Sequence, residues 1–214
     1  MGCCLLVMNR HFTILIAIFL LGSSIIKAQT RTDKLYTVSG VGTSIPVGDA
    51  ADIFGPKIST TLGLNLGLGN GGLFLYPKFS LHAFTYNAAR PDEDFTYTTQ
   101  NGRATTYLLN VALGYRKMVG NFAFYGFAGG GGGYILTPKA DVNNTTLQVN
   151  LSNESHFMPM LEGGAGIEYS LGGLSIFTEV SYMNGFQKIQ DRNFTTMPLT
   201  FGIKPNLSKL FNKR

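Results

Sequence analysis

The stretch LGLNLGLGNGGLFLYPKFSLHAF, residues 62–84, sets a leucine at every second position up to Leu68, turns at Asn70-Gly71-Gly72 and resumes alternating. Successive side chains of a β-strand point to opposite faces, so this alternation predicts a strand with two unlike sides. Leu62, Leu64, Leu66 and Leu68 share one side, and Gly63, Asn65 and Gly67 share the other. The Asn-Gly-Gly step accepts positive φ at little cost, which makes the segment a β-hairpin. A water-soluble sheet would set lysine and glutamate between those leucines, and this one sets glycine and asparagine.

Composition indicates which face meets water. Asp, Glu, Lys and Arg make up 14% of the 214 residues, against about 25% in a typical soluble domain. The chain has 27 glycines, 16 Phe, 10 Tyr and no Trp. Too few charges exist to cover the wet face of a sheet this large, and the length suits one domain.

The N-terminus reads as an export signal. Arg10 and His11 precede an apolar run from Phe12 to Ile26, followed by Lys27-Ala28-Gln29. A charged region, an apolar region and a small residue at the cut are the parts of a secretory leader. The run is about 15 residues, short of the roughly 20 that a membrane-spanning helix needs. Residues 1–28 are therefore expected to be a signal peptide cut after Ala28, leaving a barrel domain over 29–207 and a short basic tail over 208–214. Cys3 and Cys4 both lie in the leader, so no thiol or Cys-based metal site is expected in the mature chain. Removing the leader takes Arg10 and Lys27 from the 17 basic residues and nothing from the 12 acidic ones. The remainder is close to balance, and its basic residues are scattered, which argues against a nucleic-acid partner.

Alternating runs recur at about 36–45, 57–69, 72–86, 104–118, 122–136, 156–170, 174–186 and 196–207. A tilted membrane-spanning strand takes about 9–11 residues, so the pattern predicts eight such strands. In the fourth, Tyr107, Leu109, Val111, Leu113 and Tyr115 oppose Leu108, Asn110, Ala112, Gly114 and Arg116, and the apolar stripe ends in tyrosine at both ends. Tight connections at Asn70-Gly71, Gly120-Asn121 and Gly172-Gly173 alternate with longer polar segments at about 46–56, 87–103, 137–155 and 187–195. Short turns on one side and longer loops on the other define an all-β fold, an eight-stranded antiparallel up-and-down transmembrane β-barrel of the outer membrane. Both mature termini would then be periplasmic. A soluble lipocalin-like barrel would instead carry a charged outer face and a first-strand tryptophan, and this chain has neither.

The leader end Lys27-Ala28-Gln29 and the phrases LNVALGYR (109–116), GGAGIEYSL (163–171) and PLTFGIKPNL (198–207) resemble the small outer-membrane β-barrel proteins of the Bacteroidota, the outer membrane protein beta-barrel family that includes PorT-like proteins. The resemblance covers almost the whole mature chain. It implies a structural or accessory role in the envelope, with outer-membrane lipid, the barrel-assembly machinery and an envelope or secretion protein as partners. The closing strand also resembles a barrel-assembly signal at Thr200, Gly202, Pro205 and Leu207, with Pro205 departing from the usual aromatic or aliphatic residue.

Chemistry is sparse. The pentaglycine Gly129–Gly133 is followed by Tyr134-Ile135-Leu136, a strand pattern with neither the helix nor the Lys-Ser/Thr of a phosphate loop. Its glycines are expected to give neighbouring rings interior room or to let the wall bend. His82 and His156 are expected on inward faces near the outer ends of different strands, and Ser80 with His82 offers a hydrolase pair only on the lumenal side. No catalytic, cofactor or metal residues are assigned, and no enzymatic activity is expected. What stands out is a set of inward charges: Lys78, Glu162 and Glu179 at mid-height, and Arg116, Glu168 and Lys204 nearer the periplasm. Counting across the 171–173 turn sets Glu162 beside Glu179, and two adjacent carboxylates need a cation between them or one keeps its proton. An ion-pair network plugging the lumen is the expected result. Eight strands enclose little more than side chains or one small ligand, which disfavours a general porin. A narrow conduit for a small solute and a lipid-modifying enzyme are the alternatives.

Overall fold

The computed structural model describes residues 35–88, 100–143 and 148–208. The leader, residues 89–99 and residues 209–214 lie outside them, and with them the expectations of a cut at Ala28 and a basic tail. Eight strands follow in order: β1 Leu35–Pro46, β2 Phe54–Leu68, β3 Leu73–Tyr86, β4 Gly102–Val119, β5 Phe122–Asn143, β6 Gln148–Ser170, β7 Leu174–Ile189 and β8 Arg192–Pro205. Each pairs antiparallel with the next, and β8 returns to β1 with Ser39 opposite Ile203 and Val41 opposite Phe201. The sheet closes on itself and leaves no edge along its wall.

The leucines of the opening hairpin face outward. Along β4, Leu109 is 64% exposed and Val111 48%, while the intervening Leu108 is fully buried and Asn110 and Ala112 are 1% exposed. The same parity holds for Leu62 and Leu64 on β2, Leu161 and Ile167 on β6 and Ile176 and Val180 on β7, all exposed. So large an apolar surface has no place in water and marks a wall whose solvent is lipid. Aromatic side chains bound it. Tyr107, Tyr134 and Phe157 are register partners across β4, β5 and β6, with Tyr134 and Phe157 at 5.5 Å between centroids. Towards the other end Phe122 packs on Tyr169 at 4.9 Å.

The connections depart from the sequence expectation at one end. At the terminal end, where Leu35 and Pro205 lie, the three turns are tight, and Gly72 (φ 88°) and Gly172 (φ 95°) occupy left-handed conformations that favour glycine. At the opposite end, the segment expected as a loop over 137–155 is mostly strand. β5 and β6 stay paired up to Asn143 opposite Gln148, whereas β4 leaves β5 at Leu136, so a two-stranded ribbon stands beyond the barrel. The expected loop over 187–195 is a two-residue turn at Gln190 and Asp191, both at positive φ, between Ile189 and Arg192. The 46–56 connection holds a short 3-10 helix, Gly48–Asp52, which sits over this end of the lumen and makes it the cap end.

The lumen is filled. At the cap end Ala50 and Ile53 pack with Phe54, Phe84, Phe194, Met158, Met160 and Met183, and the rings of Phe54, Phe84 and Phe194 lie 5.6–5.7 Å apart. Towards the terminal end Phe74, Tyr76, Tyr125, Phe127 and Phe177 form a second cluster, with Tyr76 edge-on to Phe127 at 5.4 Å. Glycines admit these rings: a Cβ at Gly114 would meet Phe74 at 2.2 Å, and one at Gly166 would meet Tyr125 at 2.4 Å.

Candidate functional site

Six inward charges lie between and among these aromatic side chains, in two tiers. In the middle tier Lys78 of β3 reaches across the lumen to Glu162 of β6 (Nζ to Oε1 2.5 Å) and Glu179 of β7 (3.5 Å). Asn110 donates to Glu162 Oε2 at 2.9 Å, and the Tyr125 hydroxyl donates to Glu179 Oε2 at 2.8 Å. The ammonium also lies 4.6 Å from the Phe127 ring centroid and 5.0 Å from that of Tyr76, a favourable setting for a desolvated cation. Gly63, opposite Lys78 in the register, leaves the space that the lysine stem and the Tyr76 ring fill.

In the lower tier Glu168 is held from two sides, by Lys204 (Nζ to Oε2 3.1 Å) and by Arg116 (Nε to Oε1 3.1 Å). Arg116 lies over the rings of Phe74 and Tyr36, and Lys204 lies 3.8 Å from the Tyr125 centroid. Tyr125 thus joins the tiers, its ring under Lys204 and its hydroxyl on Glu179. Burying an unpaired charge costs several kcal/mol, and each of these six has a partner.

One sequence expectation is corrected. Glu162 and Glu179 do not face each other across the β6–β7 turn: Glu162 is opposite Met183, and Glu179 is opposite Gly166. The turn is wider than the count assumed, with Ser170 and Ser175 the last pair and Leu171 N donating to Leu174 O. The two carboxylates meet through the shared ammonium of Lys78.

His82 is fully buried in the lumen, its Nδ1 2.8 Å from Ser59 Oγ, while Ser80 bonds Thr61. The serine beside His82 is thus Ser59 and not Ser80, and the pair is shut off from lipid and from bulk water. His156 sits at the cap end beside Glu154 at 3.6 Å. Among the described residues no group of three His, Cys, Asp or Glu side chains converges as metal ligands. Sequence reasoning missed Asn110 and Tyr125 as members of the network. Both carry the inward parity of their strands, and that parity was the available signal.

No protein-family model matches the chain, and no curated protein matches it in sequence. Solved structures do match in shape. The crystal structure of Neisserial surface protein A, at 11% identity, aligns over 80% of this chain and 96% of its own with a TM-score of 0.51. A major outer membrane protein from Thermus thermophilus, also at 11% identity, aligns over 80% and 98% with a TM-score of 0.58. Ail, the attachment invasion locus protein of Yersinia pestis, is 16% identical over 81% of this chain and 99% of its own, with a TM-score of 0.47. At such identities the first two likenesses establish the fold. The chain has the architecture of the small outer-membrane β-barrels.

Proposed function

We propose that this protein is an integral outer-membrane barrel with a closed lumen and a structural or accessory role in the envelope, both mature termini being periplasmic. The observation that carries the reading is the filled interior: six paired charges and stacked aromatic side chains occupy the space inside an eight-stranded wall. The three tight turns that share an end with the described termini support that orientation, since short turns are the periplasmic feature of such barrels. The PorT-like resemblance supports service to a secretion or envelope assembly, with a protein partner met in the membrane or at its surface. No catalytic activity is assigned.

Planar-bilayer recording of the purified barrel tests the closed lumen. The expected trace has no resolved steps, and stable unitary steps would favour the conduit reading instead. Crosslinking in the native envelope, followed by isolation in mild detergent, tests the accessory role, for which a stoichiometric secretion or assembly component is the expected product. Lipid A mass spectra from a deletion strain should match the parent. A missing modification would establish the enzymatic alternative.

A further inference from the structure

Among the described residues the β5–β6 ribbon has two edges with no neighbouring strand. β4 pairs with β5 only as far as Thr105 opposite Leu136, and β7 pairs with β6 only as far as Gly185 opposite Met160. β7 then bulges between Asn184 and Lys188 and continues against β8 alone, and a bulge of this kind turns a strand aside. A strand edge presents backbone N–H and C=O groups spaced to receive another strand, and proteins ordinarily guard it with lysine, proline or a covering element. On the β5 edge, Thr137–Asn143, the guards are Pro138 and Lys139. Along β6, Gln148–Met158 contains neither residue type, and Pro159 stands only at the base.

Beyond the aromatic row that Phe157 joins, Gln148–His156 offers about 30 Å of extended backbone, with Asn153, Glu154 and Ser155 exposed. At the foot of this edge the Phe157 ring is 57% exposed. The same edge of two identical strands pairs only antiparallel, in an isologous contact. Two copies in one membrane, related by rotation about its normal, instead hold β6 pointing the same way along that normal. The geometry sets a second copy aside and leaves a strand from another polypeptide.

We propose that the β6 edge of the ribbon docks an extended segment of a partner polypeptide, which adds antiparallel to Gln148–Phe157 as a further strand. Main-chain hydrogen bonds supply the affinity in this mode of recognition, so the segment is free of proline. Running against β6, it begins at the membrane, and it carries an apolar residue at that N-terminal end to meet the exposed Phe157 ring. The inference rests on the accessory role proposed above and names how the partner is held. With both mature termini periplasmic, that partner arrives from outside the cell.

The probe is a synthetic peptide of matching length that alternates valine and threonine after an N-terminal phenylalanine, titrated by fluorescence anisotropy against the purified barrel in phosphatidylcholine nanodiscs. Saturable binding is expected. The N-methylated counterpart keeps the side chains and loses the donors, and it should bind weaker by about tenfold or more. Hydrogen–deuterium exchange should show new protection over Gln148–Phe157 and none in the wall. Asn153→Lys and Ser155→Lys guard the edge and should weaken the peptide by a similar factor while the circular dichroism of the barrel is retained. Lys139→Asn, on the β5 edge, should leave binding unchanged. Absence of saturable binding overturns the proposal, as does equal binding of the N-methylated peptide, protection confined to other segments, or affinity unchanged in both lysine variants. Dimerisation of the barrel in detergent that Ser155→Lys abolishes gives the edge to a second copy and overturns the foreign strand. The accessory role is read separately, by crosslinking in the native envelope: a barrel that yields a crosslinked component yet ignores the peptide keeps that role and loses the edge.

Discussion

Lys78 and Glu162 meet across the lumen, Nζ to Oε1 at 2.5 Å, from strands three places apart in the wall. Neither side chain has solvent to fall back on, since both are at most 3% exposed. Removing one partner of a desolvated pair leaves an uncompensated charge at a cost of about 3–5 kcal/mol. Lys78→Met should destabilise the barrel by that order in a urea titration in lipid vesicles. Adding Glu162→Gln to it should recover part of the loss, and more than adding Glu179→Gln at the 3.5 Å position. Strict additivity of the first pair would mean that the lumen is wet enough to screen the charges.

The outward aliphatic face carries a depth-dependent expectation. Val111 lies midway between the aromatic rows, and Tyr107 lies within the cap-end row. Arginine on the lipid face costs about 2–4 kcal/mol at the bilayer midplane and about 0–1 near an interface. Val111→Arg should therefore cost several times more than Tyr107→Arg when folding is titrated in vesicles. Equal costs would remove the bilayer from the account of this face.

Strand parity was legible because the bilayer imposes it: on β4 every odd position from Tyr107 to Tyr115 meets lipid and every even one does not. The same reasoning faltered where the bilayer ends. Thr137–Asn143 and the strand opposite it pair beyond the membrane belt, where no aliphatic alternation is required and none is written. Gln190 and Asp191 turn the chain in left-handed conformations without glycine, so the sequence there carries no hairpin signature. The inward charges were legible by parity. Their grouping into two tiers was legible too; the separation of Glu162 from Glu179 was not, because a turn miscounted by a residue or two shifts every cross-strand partner.

The cap end separates exposed pairing from packing. Arg192 Nη1 bonds Asp52 Oδ2 at the rim, where both side chains are more than a third exposed. Pairs so placed contribute about 0–1 kcal/mol. Phe194, fully buried beneath the 3-10 helix, packs against Phe54 and Phe84, and truncating such a ring costs about 3–5 kcal/mol. Asp52→Asn should leave the unfolding midpoint nearly unchanged while Phe194→Ala lowers it markedly. The reverse order would show that the rim ion pair, and not the aromatic layer beneath it, holds the cap down.

The pentaglycine divides by face, and that division gives its own test. A Cβ at Gly129, Gly131 or Gly133 would fall 1.8–2.2 Å from the carbonyl oxygens of Val111, Leu109 and Tyr107 on β4. At Gly130 and Gly132, which face outward, the nearest atom is 3.1 Å away, and at outward Gly126 it is 3.7 Å away. The inward glycines are thus needed because the β4 backbone itself crowds them, a contact no rotamer change relieves. Gly131→Ala should force the two strands apart and cost at least about 1–3 kcal/mol, the range for overpacking. Gly126→Ala should be neutral or stabilise by about 0.4–1 kcal/mol through the loss of unfolded-state freedom. Refolding yield and urea midpoint in vesicles read both. If Gly131→Ala folds as well as Gly126→Ala, β4 does not approach β5 this closely.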